Sequence, residues 1–298
     1  MFEDRGFRKD QQEIYQRILD ICIAQCQKIF ESPSWVNNPR NQESINSNNI
    51  TNYILVPPST VENKKISVQK DEIGYIEIIM YISNAVFPII RKIFSDQERI
   101  INACNNINYY IITNVFKNRN EETVVLVVVL DLIIEMLKLT YTHRCYRKEI
   151  CDLFYSSKFY KMKLKISSKW KVIMNTIIQS ESEKFNDLIS RITLGSPTNI
   201  FISREQELAN RALMLRRLSY IIFSGENDQY LQQLPIIQEK IVELFKESNN
   251  YTNIEVYLFL RVLLRRISTK HLANFWPVIF TELMLQMMIK KNNILMKN

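Results

Sequence analysis

Three groups of residues have types and spacings that could do chemistry. Cys22 and Cys26 stand four apart, which on a helix sets two thiols on one face, as a pair of metal ligands would be. No second ligand pair lies close by in sequence, so the spacing reads as two buried helical cysteines. His143, Cys145 and Cys151 form a looser group that lacks a fourth ligand. Ser268 and His271 have the types of a nucleophile and its base, but no oxyanion-hole glycine or orienting carboxylate is in evident reach. Ser268 reads instead as a helix cap. The chain has no GxxxxGK[ST] phosphate loop, no GxGxxG and no HExxH. The sequence predicts no enzyme, no cofactor and no metal site.

Two patterns fit binding better than catalysis. Lys158, Lys161, Lys163, Lys165, Lys169 and Lys171 are interleaved with Phe159, Tyr160, Leu164 and Trp170. Such a cluster suits an anionic-lipid or phosphate contact, each lysine being worth about 1 kcal/mol at a charged membrane. An exposed, solvated linker between the two halves accounts for it more simply, and no nucleic-acid-binding motif accompanies it. In the last helix, Trp276, Ile279, Leu283 and Met287 recur at helical spacing, with Phe280, Met284 and Met288 as a second apolar row. One row can face the body of the protein. Two rows leave surface for a partner. The self-association or partner surface is therefore expected at Trp276, Ile279, Leu283, Met284 and Met287. Asp228, Tyr230 and Glu239 are expected to fix helix–helix geometry.

The elements that must position these residues are helices. Only 4 Gly and 8 Pro occur in 298 residues, too few for the many tight turns of an all-β protein, while 46% hydrophobic content allows a large core. The net charge of +8 is compatible with an anionic partner but diagnostic of none. Five cysteines, an odd number, and a charged start without an apolar signal core predict reduced thiols in the cytosol. The most apolar run, Val124–Leu130, is cut by Asp131 and Glu135 and falls short of the roughly 20 residues of a bilayer span. No transmembrane helix is expected.

Along the chain, residues 1–33 read as one helix, with Phe7, Ile14, Ile18, Ile21, Cys22 and Ile29 on its apolar stripe. Residues 34–70 are polar and Asn-rich and read as a disordered insert. An N-terminal helical half follows over 71–144. Ile73, Ile76, Met80, Phe87, Ile90 and Phe94 line its first helix, bent or broken near Pro88, and Ser95 with Glu98 has capping-box spacing. Val124–Leu139 is apolar nearly all round and reads as the central helix of that half. Residues 145–298 form a C-terminal helical domain, with Ser203 and Gln206 as a second capping pattern. Pro277 either kinks the last helix or makes it restart, with Asn274 as a cap. Short loops between successive helices predict an all-α, solenoid-like array of antiparallel helices, loosely of the armadillo or HEAT kind.

Several blocks of the C-terminal half resemble the C-terminal domain of the Dopey family: Trp170–Ile173, Phe185–Arg191, Arg211–Leu218, Asp228–Tyr230, Leu234–Glu239 and Arg261–Ser268. The most specific is Leu272–Leu283, LANFWPVIFTEL. They occur in the family's order over roughly Cys151–Met288. The resemblance implies a non-enzymatic scaffold or adaptor in traffic between endosomes and the Golgi, cytoplasmic and attached peripherally to those membranes. It implies an Arf-exchange-factor-like scaffold and a phospholipid flippase as partners, and in some lineages kinesin light chain. It further implies self-association and phosphoinositide contact through the C-terminal region. Dopey proteins are far longer than this chain, which therefore reads as a C-terminal or separately encoded piece. The lysine-rich segment has no counterpart in the family pattern. Beside this reading stand a basic peripheral-membrane module that binds anionic phospholipids and an unrelated helical-repeat adaptor.

Overall fold

A helix that is apolar on every side has to be enclosed by others, and Val124–Leu137 is such a helix. Nine of its side chains are buried, from Val125 to Leu137. A computed structural model describes residues 9–30, 70–118, 124–156, 159–162, 164–180, 182–194, 203–246 and 250–295. The expected insert lies outside them, except that Lys70 opens a helix. Among the described residues every regular element is helical, so the chain is all-α. Packing divides it into two compact units, Met1–Trp170 and Lys171–Asn298, with the division inside the helix Leu164–Gln179.

In the first unit, Val124–Leu137 packs against the helix Lys70–Tyr81 and its continuation. That continuation passes through a π-helical turn, Ile82–Val86, a 3-10 turn holding Pro88, and a last α-turn, Ile90–Ile93. The change of winding falls where proline removes an N–H, at the place where the sequence predicts the helix to be interrupted. Its length and composition over Ile73–Ile93 would suffice to cross a membrane. However, Tyr75, Ile79, Ile82, Val86, Phe87, Ile90 and Ile93 are buried inside the unit while Glu77, Asn84, Arg91 and Lys92 are exposed, the pattern of an amphipathic helix with one face in a packed core. The N-terminal helix Lys9–Phe30 buries Leu19, Ile23 and Cys26. Ile14 and Ile21, expected on its apolar stripe, are exposed, because the 19-23-26 row fits helical spacing as well and is the one that meets a neighbour. Ile73 and Met80 are likewise exposed. Asp96, not Ser95, caps the helix Gln97–Ile107, accepting the Glu98 N–H at 3.0 Å. That helix begins one residue later than the capping-box spacing suggests.

The C-terminal carbonyls of Val124–Leu137 need partners. The Thr142 hydroxyl lies 3.2 Å from Met136 O as a donor, and His143 Nε2 donates to Leu137 O at 2.9 Å. Aromatic rings close the unit. Phe159 meets Phe154 at 4.9 Å and Trp170 at 5.3 Å between centroids.

In the second unit, the helices Arg204–Ser224 and Asn250–Arg266 form the most extensive pair. Their buried rows are Leu215, Leu218, Ile221 and Ile222 on one, and Val256, Phe259, Leu260 and Leu263 on the other. Ser203 caps the first of them, accepting the Gln206 N–H at 3.2 Å, as its spacing predicts. Arg216 crosses to Glu255, with Nε 2.9 Å from Oε1. The helix Leu234–Lys246 carries the terminal helix Trp276–Leu295.

Candidate interaction surface

The terminal helix starts where it does because of Pro277. A short helix, Thr269–Leu272, ends in a turn, and helical winding restarts at Trp276. Pro277 then occupies the first helical turn, where its missing N–H costs nothing. Of the two arrangements open to the sequence, the restart is realised. Farther along, the Thr281 hydroxyl donates to the Pro277 carbonyl at 2.8 Å.

The two apolar rows of this helix do not part cleanly into a buried and an exposed one. Ile279 is 0% exposed and Phe275, just before the helix, is 1% exposed, so the start of the first row joins the core of the second unit, whereas Met287 at its far end does not. Phe280 is 59% exposed, Met284 53% and Met287 66%, with Leu285 and Met288 also exposed. Trp276 and Leu283 are half-buried between the rows. The Trp276 ring lies 5.6 Å from that of Phe280, which extends the exposed strip toward the start of the helix. Of the five residues expected on a partner surface, Met284 and Met287 are exposed, Trp276 and Leu283 are intermediate, and Ile279 belongs to the core. Phe280 and Met288 were legible as the second row, but periodicity does not tell which row faces inward.

The corner before this helix is built by a loop far away in sequence. Asp228, at φ 63°, accepts the Ser268 N–H on Oδ1 at 2.7 Å and the Ser268 hydroxyl on its other oxygen. Its own N–H donates to Arg266 O at 2.9 Å. These bonds hold the Asp228 carboxyl below the ordinary carboxylate value, with the Ser268 hydroxyl as the largest cause. Ser268 therefore stands at the N-cap position, but its hydroxyl donates to Asp228 rather than accepting a helix N–H. It is oriented by a carboxylate and not by His271. Tyr230 stacks on Phe185 at 4.5 Å, and burial pushes its phenol up to about 12. Glu239, expected to join this geometry, is exposed, and Lys240 of its own helix lies 3.8 Å from it.

The lysine cluster does not stay together as a surface. Lys169 pairs with Asp131 in the first unit. Lys171, in the second, has its Nζ 4.3 Å from the centre of the Phe223 ring. Lys158 and Lys163 lie outside the described residues, as do the side chains of Lys161 and Lys165. Of the cysteines, Cys26 and Cys104 are buried in the core, whereas Cys22, expected to be buried with Cys26, is half-buried, as are Cys145 and Cys151. Burial, with Cys22 adding to it, pushes the Cys26 thiol up to about 12, so it stays protonated at neutral pH. His143 uses its Nε2 on the Leu137 carbonyl.

Comparison with known proteins agrees over a wider span than the C-terminal blocks. The family described as DOP1 C-terminal matches residues 1–297, so the similarity continues through the first unit, beyond Cys151–Met288. A Drosophila melanogaster protein named Protein DOP1 homolog is 30% identical over 193 residues, 63% of this chain and 7% of its own length. Protein DOP1B of Xenopus laevis is 26% identical over 290 residues, 94% of this chain and 12% of its own. Protein pad-1 of Caenorhabditis elegans is 31% identical over 156 residues, 51% of this chain and 6% of its own. The chain thus spans about a tenth or less of these relatives. No solved structure matches it.

Proposed function

The chain belongs to the DOP1 C-terminal family, and on that premise we propose that it is a non-enzymatic scaffold in membrane traffic between endosomes and the Golgi. Its assembly surface is the exposed face of the terminal helix, Phe280, Met284, Met287 and Met288 with Trp276 and Leu283 at the edge. The observation that supports this most is that strip, apolar over several helical turns on a helix that buries Ile279 and half-buries Trp276 and Leu283. Methionine suits such a surface, since its flexible thioether adapts to a partner's contour.

A second copy of the chain is the occupant in this reading. Each half-exposed side chain has about 1 kcal/mol left to gain on burial. Two copies of the strip would then contribute on the order of 10 kcal/mol, comparable with an association cost of about 4–15 kcal/mol. Scaffold and flippase partners, and a cytoplasmic position on Golgi and endosomal membranes, belong to the same proposal through the family.

The test is the light-scattering mass of the chain over a concentration series at low and high salt, with Met284→Asp and Met287→Asp alongside. A dimer that survives salt and is lost in the folded double variant supports the reading, because apolar burial is not screened. A monomer at every concentration overturns it.

A further inference from the structure

Two cations share one ring in the second unit. Lys171 Nζ lies 4.3 Å and Arg266 Cζ 5.0 Å from the centroid of Phe223. These residues come from three separate helices: Leu164–Gln179, Arg204–Ser224 and Asn250–Arg266. Beside them Arg265 is exposed. Burial, then Arg266 and Arg265, hold the Lys171 ammonium below the ordinary lysine range, and Glu226 opposes them. Among the described residues no carboxylate pairs with any of the three cations. Asp228 is committed to Ser268, and Arg266 reaches only the Asn227 amide oxygen, at 3.4 Å. The buried Arg266 Nε has no hydrogen-bond partner.

Three cations against the two acids of the adjoining loop, Glu226 and Asp228, leave a net positive charge, and neither acid pairs with any of the three. The ring displaces water from two of them, which strengthens their attraction for an anion. A guanidinium stacked on a ring keeps its planar fork of donors, the geometry that grips a carboxylate with two parallel bonds. Val172 and Leu264, neighbours in sequence of Lys171 and Arg265, are large, apolar and exposed.

We propose that Lys171 and Arg266, set against the Phe223 ring, together with the exposed Arg265 beside them, form a docking site for an acidic peptide segment of a partner protein, with carboxylates next to an apolar side chain. A discrete peptide fits better than an anionic membrane for two reasons. Lys171 and Arg266 lie against a ring instead of reaching outward, and Glu226 would face a continuous sheet of negative charge, whereas a peptide can present a neutral or basic residue there. This site adds a partner contact to the scaffold reading and does not depend on the terminal helix.

The test is fluorescence anisotropy of a labelled peptide of glutamate and leucine, with a serine-for-glutamate peptide as control, titrated with the full chain. Arg265→Glu, on an exposed side chain that does not threaten folding, and Lys171→Gln are compared with Lys148→Glu, an exposed residue of the first unit. Binding is expected to weaken about tenfold in each of the first two variants, to change less than about twofold in Lys148→Glu, and to fade with salt. Equal weakening by Lys148→Glu would reduce the effect to net charge and overturn the site. So would binding to phosphatidylserine vesicles, sensitive to the same two substitutions, in place of the peptide.

Discussion

The Asp228 carboxylate accepts the Ser268 N–H at 2.7 Å and the Ser268 hydroxyl as well, across forty residues of chain. One side chain, held at φ 63°, thereby fixes the corner from which the last two helices leave. Asparagine tolerates that backbone and can still accept the N–H, whereas alanine does neither. Asp228→Ala is expected to lower the melting temperature measured by circular dichroism, and Asp228→Asn to lower it less. Equal losses would mean that the bonds to Ser268 matter little.

The same carboxylate sets a pH dependence. Its folded pKa is depressed below the ordinary 3.8, so its contribution is present above that value and is lost as pH falls through the folded one. The melting-temperature difference between the parent chain and Asp228→Asn should stay constant from about pH 7 to about pH 5 and close only below 3.8. A difference that closes near neutral pH would assign the effect to another group.

The two faces of the terminal helix should differ in stability cost. Ile279→Ala removes a fully buried side chain and is expected to destabilise by about 2–4 kcal/mol in denaturant titrations. Met287→Ala, at an exposed position, should stay within about 0.5 kcal/mol for a monomer. Similar costs at both positions would reverse the assignment of the faces.

Glu255 has a side chain only 5% exposed, and its recorded partner is Arg216, which reaches it from the neighbouring helix. Arg216→Met leaves that carboxylate buried without its cation and should cost about 3 kcal/mol. Adding Glu255→Met should recover much of the loss, because an apolar pair carries no desolvation cost. A double variant as unstable as the single one would show that packing, and not charge, holds these helices together.

Gly225 is glycine because of space and not because of backbone angle. A Cβ there would lie 2.7 Å from the Tyr230 ring and 2.9 Å from Gln229 Oε1. Gly225→Ala should therefore push Tyr230 off its stack on Phe185 and destabilise by about 1–3 kcal/mol. Tyrosine near-ultraviolet circular dichroism would report the lost stack, and an unchanged spectrum would locate the strain elsewhere.

The sequence by itself determined the helical class, the central helix Val124–Leu137, the change of winding near Pro88 and the presence of two apolar rows on the last helix. These follow from local periodicity, from a missing N–H, or from a run too apolar to have a wet side. Which row of an amphipathic helix is buried was decided only by its neighbour. Leu19, Ile23 and Cys26 face inward where Ile14 and Ile21 fit the same period, and Ile279 does where Phe280 was its equal. The bonds from Asp228 to Ser268 and from Arg216 to Glu255, and the ring shared by Lys171 and Arg266, were also left to the tertiary structure. Their partners are tens of residues apart, and no spacing rule links side chains that only the packing of separate helices brings together.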